Sequence, residues 1–249
     1  LMLDAEVGID SSFPLSLPTP EVSFEVAALQ PKLPCRIGFS PDLGIGPVDP
    51  EVAAVCRTAV EKLGDAGAAV EESCPDFTGA MDVFQTLRAA LFVTGRASLL
   101  ENHRDALKPE MIWNIEKGMK LTASEIGRAQ VERGRLTQRV AQWFEAKDIL
   151  ACPVAIVPPF DVDIRYVERV GDQAFDNYVD WLFIVAAITL TGCPAISVPC
   201  GFTASGLPVG LQLVGPPRSE AALLSAAAAA EEIFGLSTQV PIDPRPGND

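Results

Sequence analysis

The chain has 249 residues, of which 19 are lysine or arginine and 33 are aspartate or glutamate, so its formal net charge is −14. Hydrophobic residues make up 48% of the sequence, which is enough to bury a substantial core and argues against a disordered chain. Nucleic-acid binding depends on clustered basic side chains, and the sequence has no such cluster, so DNA and RNA are not expected as partners.

No stretch of the sequence approaches the run of about 18 apolar residues that a membrane-spanning helix requires. The longest apolar candidate, residues 181–190, is too short. Residues 1–6 contain no basic segment and no signal-peptide core with a cleavage site after it. We therefore expect a cytoplasmic protein with no membrane partner.

The six cysteines are widely spread, form no C-x-x-C pair and have only one histidine, His103, to join them. This pattern does not predict a zinc site, and no other metal or cofactor is expected. Several of the cysteines lie in apolar runs such as 151–154, where cysteine usually acts as a small buried hydrophobe. Reduced thiols of this kind suit a cytosolic chain.

The first elements in chain order predict a parallel β-α-β unit. Residues 1–34 begin with a short apolar helical stretch and contain five prolines, so we expect an extended connector there. A strand is predicted at 36–39, a helix begins at Asp49-Pro50 with a favourable cap, and a second strand is predicted at 68–72. A strand, a helix and a strand within about 40 residues predict two parallel strands with a right-handed crossover.

The later elements are predicted from apolar periodicity and capping signals. They are a helix over 78–104, a helix that begins at Thr122 in a capping box with Glu125, a buried strand over 148–153, a helix over 176–189, strands over 195–199 and 208–214, and a helix over 219–234. The turn-rich link between the last two strands predicts an antiparallel pair. The predicted fold class is α/β, with a mixed β-sheet flanked by helices in residues 35–240 and a polar tail over 241–249.

A search for a self-sufficient catalytic constellation finds none. His103 lies in a polar helical end, where an exposed surface histidine is expected, and no G-x-S-x-G motif accompanies it. Walker and dinucleotide-binding motifs are absent from the sequence. Asp161 and Asp163 could act as an acid–base pair, but in a proline-flanked loop they are more simply solvated carboxylates.

One long stretch of the sequence is specific enough to indicate a protein family. Residues 189–202, which read TLTGCPAISVPCGF, are followed by GLPVGLQLVG at 206–215 and RSE at 218–220. Together they strongly resemble the C-terminal part of the amidase signature family, whose members hydrolyse carboxamides with a Ser-cisSer-Lys triad. The strand over 148–153 and the β-α-β unit over 36–72 are similar to other parts of that family. The resemblance covers nearly all of the chain and implies the C-terminal half of an amidase-signature fold.

The resemblance also implies that the catalytic lysine and the segment carrying both serines lie upstream of this sequence. Ser11-Ser12 is the only Ser-Ser pair, and it is followed by Phe13-Pro14 without the glycines that would let backbone amides line an oxyanion hole. We assign no catalytic residue to the chain. A first residue that is leucine fits a polypeptide whose upstream part was cleaved or removed. The missing N-terminal half is then the expected partner, and the sheet it leaves open predicts self-association.

The resemblance further implies a substrate-pocket wall for a small-molecule amide. Our candidates are Thr191, Gly192 and Cys193, at the junction of helix and strand, and Tyr178 and Trp181 before them. The alternative is that the two aromatic residues belong to the core and that Gly192 ends a helix. Cys193 is not a candidate nucleophile, because no histidine or lysine lies near it in sequence to lower its pKa.

Three functions remain open. The first is an amidohydrolase that cleaves carboxamide C–N bonds through a serine acyl-enzyme. The second is a glutamine-hydrolysing amidotransferase component of the same family, and the third is a binding or scaffold module without catalysis. We favour the hydrolase because residues 157–163 and 177–181 look more like those of stand-alone amidases.

Overall fold

The computed structural model describes residues 1–236. Its helices are α1 (Met2–Glu6), α2 (Phe24–Ala28), α3 (Pro50–Asp65), α4 (Ala80–His103), α5 (Pro109–Met119), α6 (Ala123–Phe144), α7 (Phe183–Thr191) and α8 (Glu220–Phe234). Its strands are β1 (Arg36–Phe39), β2 (Ala69–Glu72), β3 (Ile149–Pro153), β4 (Arg169–Val170), β5 (Gln173–Ala174), β6 (Ala195–Phe202) and β7 (Pro208–Val214).

Five strands form the main sheet in the order β2-β1-β3-β7-β6. Strand β1 pairs in parallel with β2 and with β3, so the β-α-β unit is confirmed. Strand β7 pairs antiparallel with β3 and β6, which confirms the antiparallel pair and the mixed sheet. The outer edge of β6 has no partner strand among residues 1–236.

Helices cover both faces of the sheet because the buried strands are apolar on both sides. On one face α3 and α8 pack over alternate strand residues such as Ile37, Ala151 and Leu211. On the other face α4, α6 and α7 pack over residues such as Leu150 and Cys152, which point the opposite way from Ala151. At β6 the second face is uncovered, because its outward residues remain exposed; these are Ala195, Ser197 and Pro199.

The capping signals in the sequence form as expected. The Asp49 carboxylate accepts a hydrogen bond from the backbone N–H of Glu51 at 2.8 Å, and Pro50 occupies the first turn of α3. Thr122 and Glu125 form both hydrogen bonds of a capping box at the start of α6. These bonds satisfy backbone donors that a helix start leaves unpaired.

Two parts of the chain differ from the sequence prediction. The helix expected over 176–189 begins only at Phe183, after a 3₁₀ turn over Asp180–Leu182. Its first turns are lost because the Asp180 carboxylate accepts hydrogen bonds from Asp176 N and Asn177 Nδ2, and side-chain bonds of this kind compete with helix formation. Helix α5, which starts at Pro109, was not predicted from the sequence.

The segment expected as an extended connector, residues 1–34, contains two five-residue helices. The Asp4 carboxylate of α1 accepts hydrogen bonds from Phe24 N at 2.7 Å and Glu25 N at 2.9 Å, so it joins α1 to the start of α2. Helix α2 packs on α8. The predicted polar tail over 241–249 lies outside the described residues. Within residues 1–236 no helix is both long and apolar enough to cross a bilayer.

Candidate functional site

A cleft opens at the edge of the sheet where the parallel strands β1 and β3 end. Strand β3 stops at Pro153 and antiparallel β7 starts beside it, so the loop after β3 and the first residues of β7 face each other. The cleft has a volume of about 240 Å³ and is mostly apolar. Its lining comprises Val52, Val154, Ala155, the loop 157–160, Trp181, Pro208, Val209 and Gly210. Ligand sites of open α/β sheets commonly lie beyond the carboxyl ends of such strands.

Trp181 lies in the wall of this cleft. Its ring packs edge-to-face on Phe160, with the ring centroids 5.8 Å apart and the planes 79° apart. Phe160 is 41% exposed, so the pair presents aromatic surface to the cleft. Backbone from β7 approaches closely opposite this wall, since a Cβ on Gly210 would lie 2.9 Å from Val154 Cγ1.

A larger cleft of about 1010 Å³ shares the loop 157–160 as a wall. Its other side is formed by the start of α5, at Pro109 and Glu110, and by residues 163–169. The ion pair between Arg165 Nη2 and a Glu110 carboxylate oxygen, 2.6 Å apart, connects these two sides. The Asp163 carboxyl lines the same cleft.

Tyr178 joins this region to helices α4 and α5. Its hydroxyl oxygen accepts hydrogen bonds from Arg88 Nη2 at 3.0 Å and from Asn114 Nδ2. The ring of Tyr178 packs edge-to-face on Trp113 at 5.9 Å and on Tyr166 at 6.2 Å between centroids. Because Tyr166 lines the larger cleft, Tyr178 lies one aromatic ring behind that cleft.

A second polar network lies beside the first. Gln85 Nε2 donates to Asp180 Oδ1 at 2.6 Å, and the Lys117 ammonium donates to Gln85 Oε1. Burial lowers the pKa of Lys117, and the negative charges of Asp180 and Asp82 partly offset that effect. This network ties α4 and α5 to the turn that precedes α7.

The other three candidate wall residues lie at the opposite end of α7, about 13 Å from Trp181 along the helix axis. Thr191 Oγ1 donates to Ile188 O at 2.6 Å and accepts from Cys193 N at 3.1 Å. Gly192 ends the helix with φ 70°. Burial raises the pKa of the Cys193 thiol, while the hydrogen bond with Thr191 opposes the rise. Neither cleft is lined by these three residues, and their contact with a substrate stays a prediction.

Trp181 lines the smaller cleft and Tyr178 lies behind the larger one, so a role of either in substrate binding stays a prediction. The sequence analysis did not identify Arg88 and Asn114, which donate hydrogen bonds to Tyr178. Arg88 lies 90 residues from Tyr178 in sequence, and Asn114 lies 64 residues from it. No local sequence signal marks Asn114, and its burial is visible only in the structure, where this polar helix residue is 1% exposed. Such a residue indicates a buried hydrogen-bond network.

The remaining reactive residues do not form a catalytic group in the described part of the chain. His103 is exposed at the end of α4, and Asp161 and Asp163 are exposed in their loop. A hydrogen bond with Cys200 and burial raise the pKa of the Cys56 thiol, and burial raises that of Cys152. Residues 1–236 contain no group of three or more histidine, cysteine, aspartate or glutamate side chains that could hold a metal.

The sequence matches the family model described as Amidase over residues 1–224, and the chain belongs to this family. It is 33% identical to an acylamidase of Rhodococcus erythropolis over 251 residues, which is 98% of this chain and 51% of that protein. It is 31% identical to a glutamyl-tRNA(Gln) amidotransferase component of Moorella thermoacetica, covering 93% of this chain and 51% of that protein. The chain thus spans about half the length of the curated relatives it matches.

Solved structures show the same fold. A bacterial aryl acylamidase of the amidase signature family superposes with a TM-score of 0.78 at 21% identity, over 94% of this chain and 52% of that one. A substrate complex of 6-aminohexanoate cyclic dimer hydrolase gives a TM-score of 0.75 at 20% identity, over 91% of this chain and 51% of that one. The family resemblance and the α/β fold inferred from the sequence are confirmed.

Proposed function

We propose that this chain is the C-terminal half of an amidohydrolase that cleaves carboxamide C–N bonds through a serine acyl-enzyme. The observation that carries the proposal is the match to the amidase family over residues 1–224. The cleft beyond β3, where open α/β sheets commonly bind ligands, supports it. The nucleophilic serine, the bridging serine and the lysine are assigned to an upstream half, because the resemblance to the amidase signature family implies that they lie there.

The expected chemistry divides between the two halves. The upstream serine attacks the amide carbonyl, the lysine removes its proton through the bridging serine, the amine leaves, and water then hydrolyses the ester. This chain contributes sheet strands and an apolar wall built from Trp181, Phe160 and the loop 157–160. A wall of this kind orients the amide by shape and apolar contact and thereby selects among amides.

The proposal is tested by pairing the chain with the upstream half, supplied in trans or restored in one gene. We expect hydrolysis of small aliphatic or aromatic amides that neither half shows alone. An assembled protein that binds amides without turning them over would instead favour the binding module. Substitution of the upstream lysine is the matched negative control.

A second candidate is glutamine hydrolysis as a component of an amidotransferase. The observation that favours it is the 31% identity to the Moorella thermoacetica amidotransferase component. An assay of the assembled protein with glutamine and with simple amides distinguishes the amidohydrolase from the amidotransferase component. Release of ammonia from glutamine alone would select the amidotransferase, and cleavage of simple amides alone would select the hydrolase.

A further inference from the structure

Arg88 has an unusual environment for a cation. Its side chain is half-buried on α4, and its Nε is enclosed without any hydrogen-bond partner. No carboxylate of residues 1–236 lies within 4 Å of the Arg88 guanidinium, so Arg88 forms no ion pair in this part of the chain. A partly buried charge without a counter-ion is unfavourable, and a guanidinium fork has the geometry to bind a carboxylate with two hydrogen bonds.

Aromatic rings surround this guanidinium. The Arg88 Cζ lies 4.7 Å from the ring centroid of Phe92, 5.8 Å from that of Tyr178 and 6.0 Å from that of Phe84. The guanidinium of Arg96 also lies over Phe92, at 4.6 Å, but it donates no hydrogen bond to Tyr178 and takes no part in the site proposed below. Rings of this kind hold the cation in place and exclude water, but they supply no hydrogen-bond acceptor, and within residues 1–236 the Arg88 side chain donates only to the Tyr178 hydroxyl.

The acceptors near the guanidinium are either uncharged or already occupied. Tyr178 accepts hydrogen bonds from Arg88 and Asn114, and its own O–H has no acceptor within the described chain. The second amide hydrogen bond of Asn114 goes to Glu110 O at 3.0 Å. The nearby carboxylate of Asp180 is already occupied, because Gln85 donates to one oxygen and Asp176 N and Asn177 donate to the other.

We propose that Arg88 and Tyr178 form a binding site for a carboxylate group, held in position by Asn114. The guanidinium and the Tyr178 hydroxyl supply the donors, and Phe84 and Phe92 form the sides. Tyr166, which packs on Tyr178, places this site directly behind the larger cleft. The proposed amidase would then act on an amide that also carries a carboxylate, and this extension alone depends on the proposed function.

The test compares benzoate with its neutral isostere benzamide as probes of the 249-residue chain. We expect benzoate to bind at least tenfold more tightly in a calorimetric or NMR titration. Arg88→Gln should remove the preference. Arg96→Gln is the matched control, because it removes the same charge from the same ring, Phe92, without touching Tyr178. It should leave the preference in place.

Tyr178→Phe provides a second variant should Arg88→Gln fail to fold, and we expect it to weaken benzoate binding severalfold while benzamide binding is unchanged. Equal binding of the two probes, no binding of benzoate, or equal losses in the Arg88 and Arg96 variants would overturn the proposal. The titration measures benzoate binding by this chain alone, so it does not require catalytic turnover. If benzoate binds while the assembled protein hydrolyses no amide, only the proposed function fails.

Discussion

Gly118 and Gly134 both lie inside helices, but an added methyl group meets different surroundings at each. At Gly118 in α5 an added Cβ would lie 2.2 Å from Ala89 O and 2.5 Å from Val93 Cγ2, so α5 can approach α4 closely only without a side chain there. At Gly134 in α6 nothing lies within 4 Å. The same substitution should therefore change stability in opposite directions.

We predict that Gly118→Ala lowers the free energy of unfolding by about 1–3 kcal/mol, because it forces two packed helices apart. Gly134→Ala should raise it by about 0.5–1 kcal/mol, because alanine loses less backbone entropy in a helix. Urea unfolding of both variants measures the difference. A Gly118→Ala protein as stable as the parent would contradict the close α4–α5 contact, and with it the placement of Asn114.

Also at the scale of residues, only some members of the candidate site were proposed from the sequence. Trp181 was proposed as a wall residue because it precedes the junction of helix and strand that the family resemblance singles out, and the structure places it in the wall of the smaller cleft. Arg88 and Asn114 were missed because their contacts with Tyr178 cross 90 and 64 residues of chain. Tertiary packing brings α4 and α5 against the turn before α7, and the local periodicity of the sequence does not predict this contact.

At the scale of elements, one ion pair joins the beginnings of the two parallel strands β1 and β3. The Asp148 carboxylate accepts from Arg36 N at 2.9 Å and from Arg36 Nη2 at 2.6 Å, while Asp148 N donates to Arg36 O at 2.9 Å. The hydrogen bond from the Arg36 side chain is the main reason that the pKa of Asp148 lies below its ordinary value of 3.8.

A lowered folded-state pKa means that the ionised carboxylate stabilises the fold above the unfolded pKa, and that this stability is lost as pH falls through the folded value. We predict that Asp148→Asn lowers stability by about 1 kcal/mol at pH 7, a small figure because the pair is partly exposed. It should also flatten the loss of stability below pH 3.8. Urea unfolding between pH 3 and 7 tests this, with Asp172→Asn in an exposed turn as the control. Identical pH profiles for Asp148→Asn and the parent would refute it.

Most elements followed from the sequence because apolar periodicity and caps act locally. The strand at 36–39 was predicted to the residue, and the capping box of α6 marked its start. The sequence pattern predicts helix over 176–182 because it gives no sign that Asp180 accepts hydrogen bonds from Asp176 N and Asn177. Helix α5 was missed although its sequence carries helix signals, since Pro109 and Glu110 lie in its first turn and its residues are amphipathic.

At the scale of the whole molecule, the described chain leaves part of one sheet face uncovered at the edge strand β6. Strand β6 has no outer partner among residues 1–236, and its Ala195, Ser197 and Pro199 are exposed. An open edge beside an uncovered face is a site for pairing with another chain. The upstream half of the proposed enzyme would cover it.

We therefore predict that the 249-residue chain self-associates and binds a hydrophobic dye. Ala195→Lys combined with Ser197→Lys should reduce the association by placing charge on this face. Ala69→Lys, on the opposite edge strand β2, is the matched control and should leave association unchanged. Sedimentation across a range of concentrations measures it. A monodisperse monomer that binds no dye would count against the uncovered sheet as an interface.

The last prediction concerns activity and follows from the division of the catalytic groups. The purified 249-residue chain should hydrolyse no amide above background, because removing a nucleophile and its base from enzymes of this kind lowers the rate by on the order of 10⁶-fold. Addition of the upstream half should restore hydrolysis. Trp181→Ala should then change the ratio of kcat/KM between aromatic and aliphatic amides more than it lowers the best rate, since Trp181 forms a wall and takes no part in bond cleavage. Cys193→Ala is the control and should leave turnover intact, because the pKa of this thiol is raised rather than lowered. If the chain alone hydrolyses an amide and the rate disappears when one of its own residues is changed, then the catalytic groups lie among the residues assigned here to structure.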